Sequence, residues 1–119
     1  MYREKRFKDF RKKAKYNNTK CEYRGSTYHS KLEAKYAQDL DLRVKAKEIL
    51  SWDRQVKIEL DVNGYHICNY YIDFIARYPD GTVEYSEVKG LATEVWKLKW
   101  KLFEALYSNR ELTRLTVVR

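Results

Sequence analysis

Residues 70–90 read YYIDFIARYPDGTVEYSEVKG, and the fold prediction begins with their pattern. Its first seven residues are apolar at both odd and even positions except for Asp73, which predicts a central strand buried on both faces. The sequence PDG at 79–81 is typical of a tight turn. A further strand is predicted from residue 82 to about residue 89, so the two strands are expected to lie side by side and antiparallel.

The segment before this pair predicts a third strand and a helix. Apolar and charged residues alternate over 56–62, the pattern of a half-exposed strand. Asn63-Gly64 is a strong hairpin signal that connects this strand to the central one. Further upstream, Ser30 is a good N-cap, and Glu33 stands at the spacing of a capping box. The helix that they begin is predicted to run to about Glu48.

The segment after residue 90 predicts one more helix and one more strand. Thr93 can cap a helix that ends near Ser108 and carries two neighbouring apolar stripes. Residues 112–118 predict the last strand. The order from Ser30 onward is helix, three strands, helix, strand, which indicates an α/β (α+β) fold.

Length and composition limit the class of protein. The chain has 119 residues, enough for a single compact domain, and its 44% hydrophobic content excludes wholesale disorder. No apolar run exceeds three residues, so we expect neither a transmembrane helix nor a signal peptide. With Cys21 and Cys68 as the two cysteines, we expect a reduced, cytoplasmic protein without a disulfide. Two cysteines and two histidines do not make a zinc site.

The net charge is concentrated at the N-terminus. Residues 1–20 hold nine Lys or Arg against two acids, giving +7, and residues 21–119 hold sixteen bases against fifteen acids, giving +1. We therefore divide the chain into a basic arm, 1–20, and a folded domain, 21–119. Such an arm favours DNA over a solubilising tail, and an anionic membrane surface is a further alternative that nothing in the domain supports.

Ten bases are candidates for contact with DNA phosphates. For each lysine of the second helix taken singly, a solvent-exposed position without DNA contact is the simpler interpretation. The candidates are Arg3, Lys5, Arg6, Lys8, Arg11, Lys12, Lys13 and Lys15 in the arm, with Lys97 and Lys101 one turn apart on the second helix.

Asp73 is the main anomaly in the apolar pattern. An unpaired buried carboxylate costs several kcal/mol. On the neighbouring strand, Glu87 and Lys89 share one face, so two carboxylates and an ammonium are expected to converge. The group is either a salt bridge with one acid exposed, or a divalent-metal site in which Asp73 and Glu87 bind Mg²⁺ and Lys89 lies beside a phosphate.

The same residues resemble a known signature. Ile72-Asp73 and Glu87-Val88-Lys89, separated by thirteen residues, look like the PD-(D/E)xK nuclease motif, with Ile in place of its weakly required Pro. SKLEA at 30–34, YIDF at 71–74, the PDG turn and SEVKG at 86–90 are similar to small phage nucleases, in particular to junction resolvases of the endonuclease I type. The resemblance covers about residues 21–108.

The resemblance implies a restriction-endonuclease-like core, with a mixed central sheet flanked by helices. It also implies a metal-dependent site. Asp73, Glu87 and the carbonyl oxygen of Val88 would hold one Mg²⁺, for which Mn²⁺ can substitute. Glu33, on the first helix, would help to hold a second ion, although the capping box competes for the same carboxylate. Lys89 would orient the attacking water or stabilise the charge of the transition state.

The function implied is Mg²⁺-dependent hydrolysis of DNA phosphodiester bonds, with Holliday or other branched junctions as leading substrate. Since a resolvase cuts two strands symmetrically, a homodimer is expected. If the chain is encoded by a phage, it would act in the host cytoplasm. The alternatives are a phage nickase or flap-type nuclease with the same site, and a non-catalytic DNA-binding protein whose acids form a structural ion-pair cluster.

Overall fold

The computed structural model of the chain describes residues 21–88 and 92–119. After a short N-terminal hairpin, the elements follow the predicted order of helix, three strands, helix and strand. This confirms a mixed α+β fold. The strands are β1 (Cys21–Tyr23), β2 (Ser26–Tyr28), β3 (Ser51–Val62), β4 (Tyr65–Arg77), β5 (Val83–Val88) and β6 (Thr113–Val118), and the helices are α1 (Lys31–Lys45) and α2 (Glu94–Tyr107).

The chain divides into two compact units, the second of which spans Tyr36–Arg119. In the first, residues 21–35 are described, and β1 and β2 form an antiparallel hairpin. Arg24 and Gly25 have φ angles of 52° and 81°, the left-handed values of a two-residue hairpin turn. The predicted boundary at residue 20 lies outside the described residues.

The second unit contains a four-stranded sheet in the order β3-β4-β5-β6. β3 and β4 pair antiparallel through Asn63 and Gly64, whose φ angles are 52° and 84°. The turn at 79–81 makes β4 and β5 antiparallel as well. β5 and β6 pair parallel, which requires a crossover connection, and α2 lies in it. The sheet is therefore mixed.

Helices cover both faces of this sheet. On one face, the Tyr36 ring of α1 lies 5.1 Å from the Phe74 ring, and its hydroxyl is 2.9 Å from Ser86 Oγ. On the opposite face, the Phe103 ring of α2 lies 5.3 Å from the Tyr85 ring. Because Tyr85 and Ser86 are consecutive in β5, their side chains point to opposite faces. The core between α2 and the sheet combines such aromatic contacts with buried aliphatic side chains such as Leu60 and Ile75.

Two boundaries differ from the sequence prediction. α1 ends at Lys45, because Lys47 has a left-handed φ of 63° that a helix does not accommodate. β3 begins at Ser51 instead of residue 56, since four of its first five residues are polar and hide the alternation that marks the rest of the strand. In the described part of the chain, neither helix combines the length and the apolar character needed to cross a bilayer.

Candidate active site

Asp73 and Glu87 lie opposite each other where the β4–β5 ladder ends. The last pairing along the ladder in that direction is Phe74 with Ser86, so Asp73 and Glu87 occupy the next positions on the two strands. The Asp73 amide donates to Glu87 Oε2 at 3.1 Å, and the Val88 amide donates to Asp73 Oδ2 at 2.9 Å. The structure thus brings Asp73, Glu87 and the Val88 backbone together.

Both carboxylates are buried, and side chains from β3 and α2 hold their other oxygens. Asp73 is 8% exposed and Glu87 2% exposed. Gln55 Nε2 donates to Asp73 Oδ1 at 3.1 Å, and Trp96 Nε1 donates to Glu87 Oε1 at 2.9 Å. These two side-chain donors and the two backbone amides orient the carboxylates.

Glu84 is another buried carboxylate of β5, the strand that carries Glu87. It is 6% exposed, and its oxygens accept from the Tyr78 hydroxyl at 2.6 Å and the Thr116 hydroxyl at 2.7 Å. Two guanidinium groups, of Arg43 and Arg114, lie 3.9 and 4.0 Å from it. Glu84 therefore has the surroundings of a structural ion-pair network.

Gln55 has a strained backbone at the point where it contacts Asp73. It lies opposite Asp73, between the pairs Arg54–Phe74 and Val56–Ile72. Its φ is 51°, a left-handed value that is uncommon for a residue other than glycine. Such strain often occurs at functional sites. Gln55 was not predicted as a site residue, because nothing in the local pattern distinguishes it from other polar residues of β3.

We expect Gln55→Gly to be more stable than Gln55→Ala by about 1 kcal/mol. Both substitutions remove the donor to Asp73, so their difference isolates the backbone term, which glycine relieves. Urea denaturation of the two variants measures it. The control is Lys57, also exposed on β3. There, Lys57→Gly is expected to be less stable than Lys57→Ala. If the glycine variant is less stable than the alanine variant at both positions, the prediction is wrong.

Tyr70 adds a hydroxyl next to the Trp96–Glu87 bond. Its hydroxyl oxygen accepts from Trp96 Nε1 at 3.2 Å. Burial, followed by the negative charge of Glu87, raises the pKa of the Tyr70 phenol. The phenol therefore stays protonated at neutral pH and adds no third negative charge to the site.

Comparison with known proteins identifies a family. The family model described as protein of unknown function, DUF1064, matches residues 13–118. The chain belongs to the DUF1064 family. The match includes both buried carboxylates and every strand and helix described above. No curated protein and no solved structure is significantly similar to the chain.

Glu33, Lys97 and Lys101 are the other predicted site residues of this DUF1064 chain that the structure describes. Glu33 is 8% exposed, and its Oε1 accepts from the His29 amide at 3.0 Å. The amide of Glu33 donates to Ser30 Oγ at 3.1 Å, so half of the predicted capping box is present. Lys97 and Lys101 are exposed on α2, and Lys97 Nζ lies 3.2 Å from Glu94 Oε2. Lys89 and the predicted DNA-binding bases of the arm lie outside the described residues.

A second set of potential metal ligands lies at the turn of the β3–β4 hairpin of this DUF1064 chain. The ligand atoms of Glu59, Asp61 and His66 all lie within 4.8 Å of one another, and all three residues are exposed. Asp61 pairs with His66 across the turn, and His66 Nδ1 is 2.8 Å from Asp61 Oδ1. This set was not predicted from the sequence, although the hairpin register around Asn63-Gly64 could have revealed it.

Proposed function

We propose that this DUF1064 protein is a Mg²⁺-dependent DNA endonuclease of the PD-(D/E)xK type. The observation that carries the proposal is the meeting of two buried carboxylates, Asp73 and Glu87, at the end of the β4–β5 ladder. They belong to strands of a mixed sheet with a helix on each face, the architecture that the resemblance implies. The nuclease core itself is part of the proposal.

The donor set fits a hard divalent cation. Mg²⁺ is commonly held by one or two carboxylates, with water and substrate oxygens completing its shell. In this proposal, Asp73, Glu87 and the carbonyl oxygen of Val88 hold Mg²⁺, and Mn²⁺ can replace it. When bound, the ion would lower the pKa of water and stabilise negative charge on the phosphate. An ionised carboxylate offers about four acceptor positions, so hydrogen bonds and ion binding are compatible.

The protein's own groups then have separate tasks. Gln55 and Trp96 orient the two carboxylates through the bonds described above. Lys89, two residues after Glu87, would stabilise the added charge of the pentacovalent transition state. The resemblance also assigns a catalytic role to Glu33, which Glu33→Gln tests on its own.

Branched DNA is the substrate class that we propose, with a homodimer as the active species. α2 brings Trp96 to Glu87, so the exposed Lys97 that follows Trp96 belongs to the helix turn beside the site. Lys97 and Lys101 are proposed to bind phosphates there. The cytoplasm is the proposed location, which agrees with the free thiols of Cys21 and Cys68.

The deciding experiment incubates the full chain with four-way-junction, flap, nicked and linear duplex DNA in Mg²⁺, Mn²⁺ or EDTA. We expect cleavage in either metal, none in EDTA, and the highest rate on the four-way junction. A preference for flaps or nicks would instead favour the alternative nucleases with the same site. Binding to DNA without cleavage under any condition would contradict the proposal and favour a non-catalytic DNA-binding protein.

Removal of the basic arm is expected to weaken DNA binding and its salt dependence together. If the arm neutralises about five phosphates, log affinity should fall with log salt at a slope of roughly −4 to −5, because bound phosphates release counterions. Fluorescence anisotropy in Ca²⁺ at several salt concentrations measures this slope for the full chain and for a variant lacking residues 1–20. Equal slopes would contradict a role of the arm in DNA binding.

A further inference from the structure

The indole of Trp96 connects α2 to Glu87. Its Nε1–H lies 2.9 Å from Glu87 Oε1 and 3.2 Å from the Tyr70 hydroxyl oxygen, so two acceptors share one proton. The ring stacks on that of Trp100, with centroids 5.9 Å apart and an interplanar angle of 19°. Trp100 is itself buried in the core between α2 and the sheet. Packing therefore determines where the Trp96 N–H points.

The backbone also fixes the start of α2, which carries Trp96. Thr93 is the N-cap, and its Oγ1 accepts from the Trp96 amide at 3.1 Å. Trp96 thus has its amide held by the cap and its ring held by the core. A residue restrained at both ends loses little entropy when it donates to a carboxylate, and this makes it an effective orienting group.

We propose that Trp96 is a positioning residue that presents Glu87 to a divalent cation. The inference rests on the proposed function, because it requires that Asp73 and Glu87 bind the ion. Trp96 holds Glu87 Oε1 on the α2 side, while Oε2 lies beside the Asp73 backbone. An indole N–H can only donate, so this bond holds Glu87 Oε1 in place as an acceptor and fixes the direction of the carboxylate.

The expected effect is a loss of cation affinity. Hydrogen-bond partners that orient metal ligands typically contribute 10–100-fold to metal affinity. Trp96→Phe keeps an aromatic ring for stacking and removes the donor. We therefore expect the Kd for Mn²⁺ to rise by about 10–100-fold in this variant. Trp100→Phe is the matched control, since it alters the same aromatic stack without removing the donor to Glu87.

The first measurement is calorimetric titration of the full chain with Mn²⁺ alone, without DNA. Every protein in the series carries His66→Gln, which weakens Mn²⁺ binding at the exposed hairpin set of Glu59, Asp61 and His66. The series contains the His66→Gln protein itself, which is the background protein, and the background protein with Trp96→Phe, Trp100→Phe or Glu87→Gln added. Thermal denaturation of each protein in EDTA distinguishes loss of Mn²⁺ affinity from loss of folding.

The second measurement does not depend on the folding of Trp96→Phe. The chain has three tryptophans, so ¹⁵N-labelled protein carries three indole N–H groups. Trp52→Phe and Trp100→Phe assign two of the resonances, and the third then belongs to Trp96. We expect Mg²⁺ alone to shift the Trp96 indole resonance with a saturable dependence on its concentration, and to leave that of Trp52 in place.

Two outcomes separate this inference from the proposed function. If Mn²⁺ binding needs Glu87 but is equally tight in Trp96→Phe and Trp100→Phe, or if Mg²⁺ binds without shifting the Trp96 indole resonance, the role of Trp96 is wrong and the proposed site survives. If the background protein, with Trp96, Asp73 and Glu87 intact, binds neither Mn²⁺ nor Mg²⁺, the proposed function and the inference fail together.

Discussion

Glu87→Ala is expected to abolish Mg²⁺-dependent DNA cleavage while DNA binding in Ca²⁺ persists. Groups that merely orient a metal ligand contribute 10–100-fold, so loss of the ligand itself should lower the cleavage rate by more than about a hundredfold. Glu87 is 2% exposed and accepts from the Asp73 amide and the Trp96 indole. Its removal would leave the proposed cation with one of the two carboxylates. Single-turnover cleavage of four-way-junction DNA measures the rate.

Glu84→Gln is the matched control for this experiment. Glu84 is a buried glutamate of the same strand, but it lies in the ion-pair network with Arg43 and Arg114. We expect the control to lose stability and to retain cleavage per folded molecule. The resemblance predicts that Lys89→Ala behaves as Glu87→Ala does. Undiminished cleavage by Glu87→Ala would remove the site assignment, and equal loss in Glu84→Gln would attribute it to folding.

Phe103→Ala is expected to have the largest effect on stability. Phe103 has no exposed surface, and its ring lies 4.5 Å from that of Tyr107, 5.3 Å from that of Tyr85 and 5.5 Å from that of Tyr70. Truncation of a buried Phe to Ala costs about 3–5 kcal/mol, because apolar burial is lost and a cavity remains. Domains have only about 5–15 kcal/mol in total. We expect urea denaturation to show a loss of this size.

Leu98→Ala provides the comparison on the same helix. Leu98 is 73% exposed, so its truncation removes little buried surface and should change stability by less than about 0.5 kcal/mol. Equal losses of stability in the two variants would contradict the conclusion that α2 packs in the core through Phe103 and not through Leu98. The Phe103 variant should also disturb the site, because Trp96 is held by the same aromatic cluster.

The local signals of the sequence predicted most of the fold. Asn63-Gly64 predicted a hairpin because few residue pairs adopt two consecutive left-handed φ angles easily, and both residues have them. Thr93 predicted the start of α2, and its Oγ1 caps the Trp96 amide. These signals are reliable since their physical cause lies within a few residues of chain.

Apolar patterning predicted less about burial on α2. Both apolar stripes of the helix were available to the core, but the structure buries Trp100 and Phe103 and leaves Val95 and Leu98 exposed by 57% and 73%. Hydrophobicity indicates which residues can be buried, but packing against the sheet determines which of them are. Tyr71 is likewise exposed, although it lies in a segment that is apolar at both odd and even positions, because its burial depends on tertiary packing.

The order of elements, the two antiparallel hairpin turns and the residue types that could converge were predictable without coordinates, since each depends on residues close together in the chain. The parallel pairing of β6 with β5 and the hydrogen bonds from Gln55 to Asp73 and from Trp96 to Glu87 became visible in the folded chain. Those bonds join elements that are separate in sequence. Their geometry depends on how helix and strands pack, and no local pattern records it.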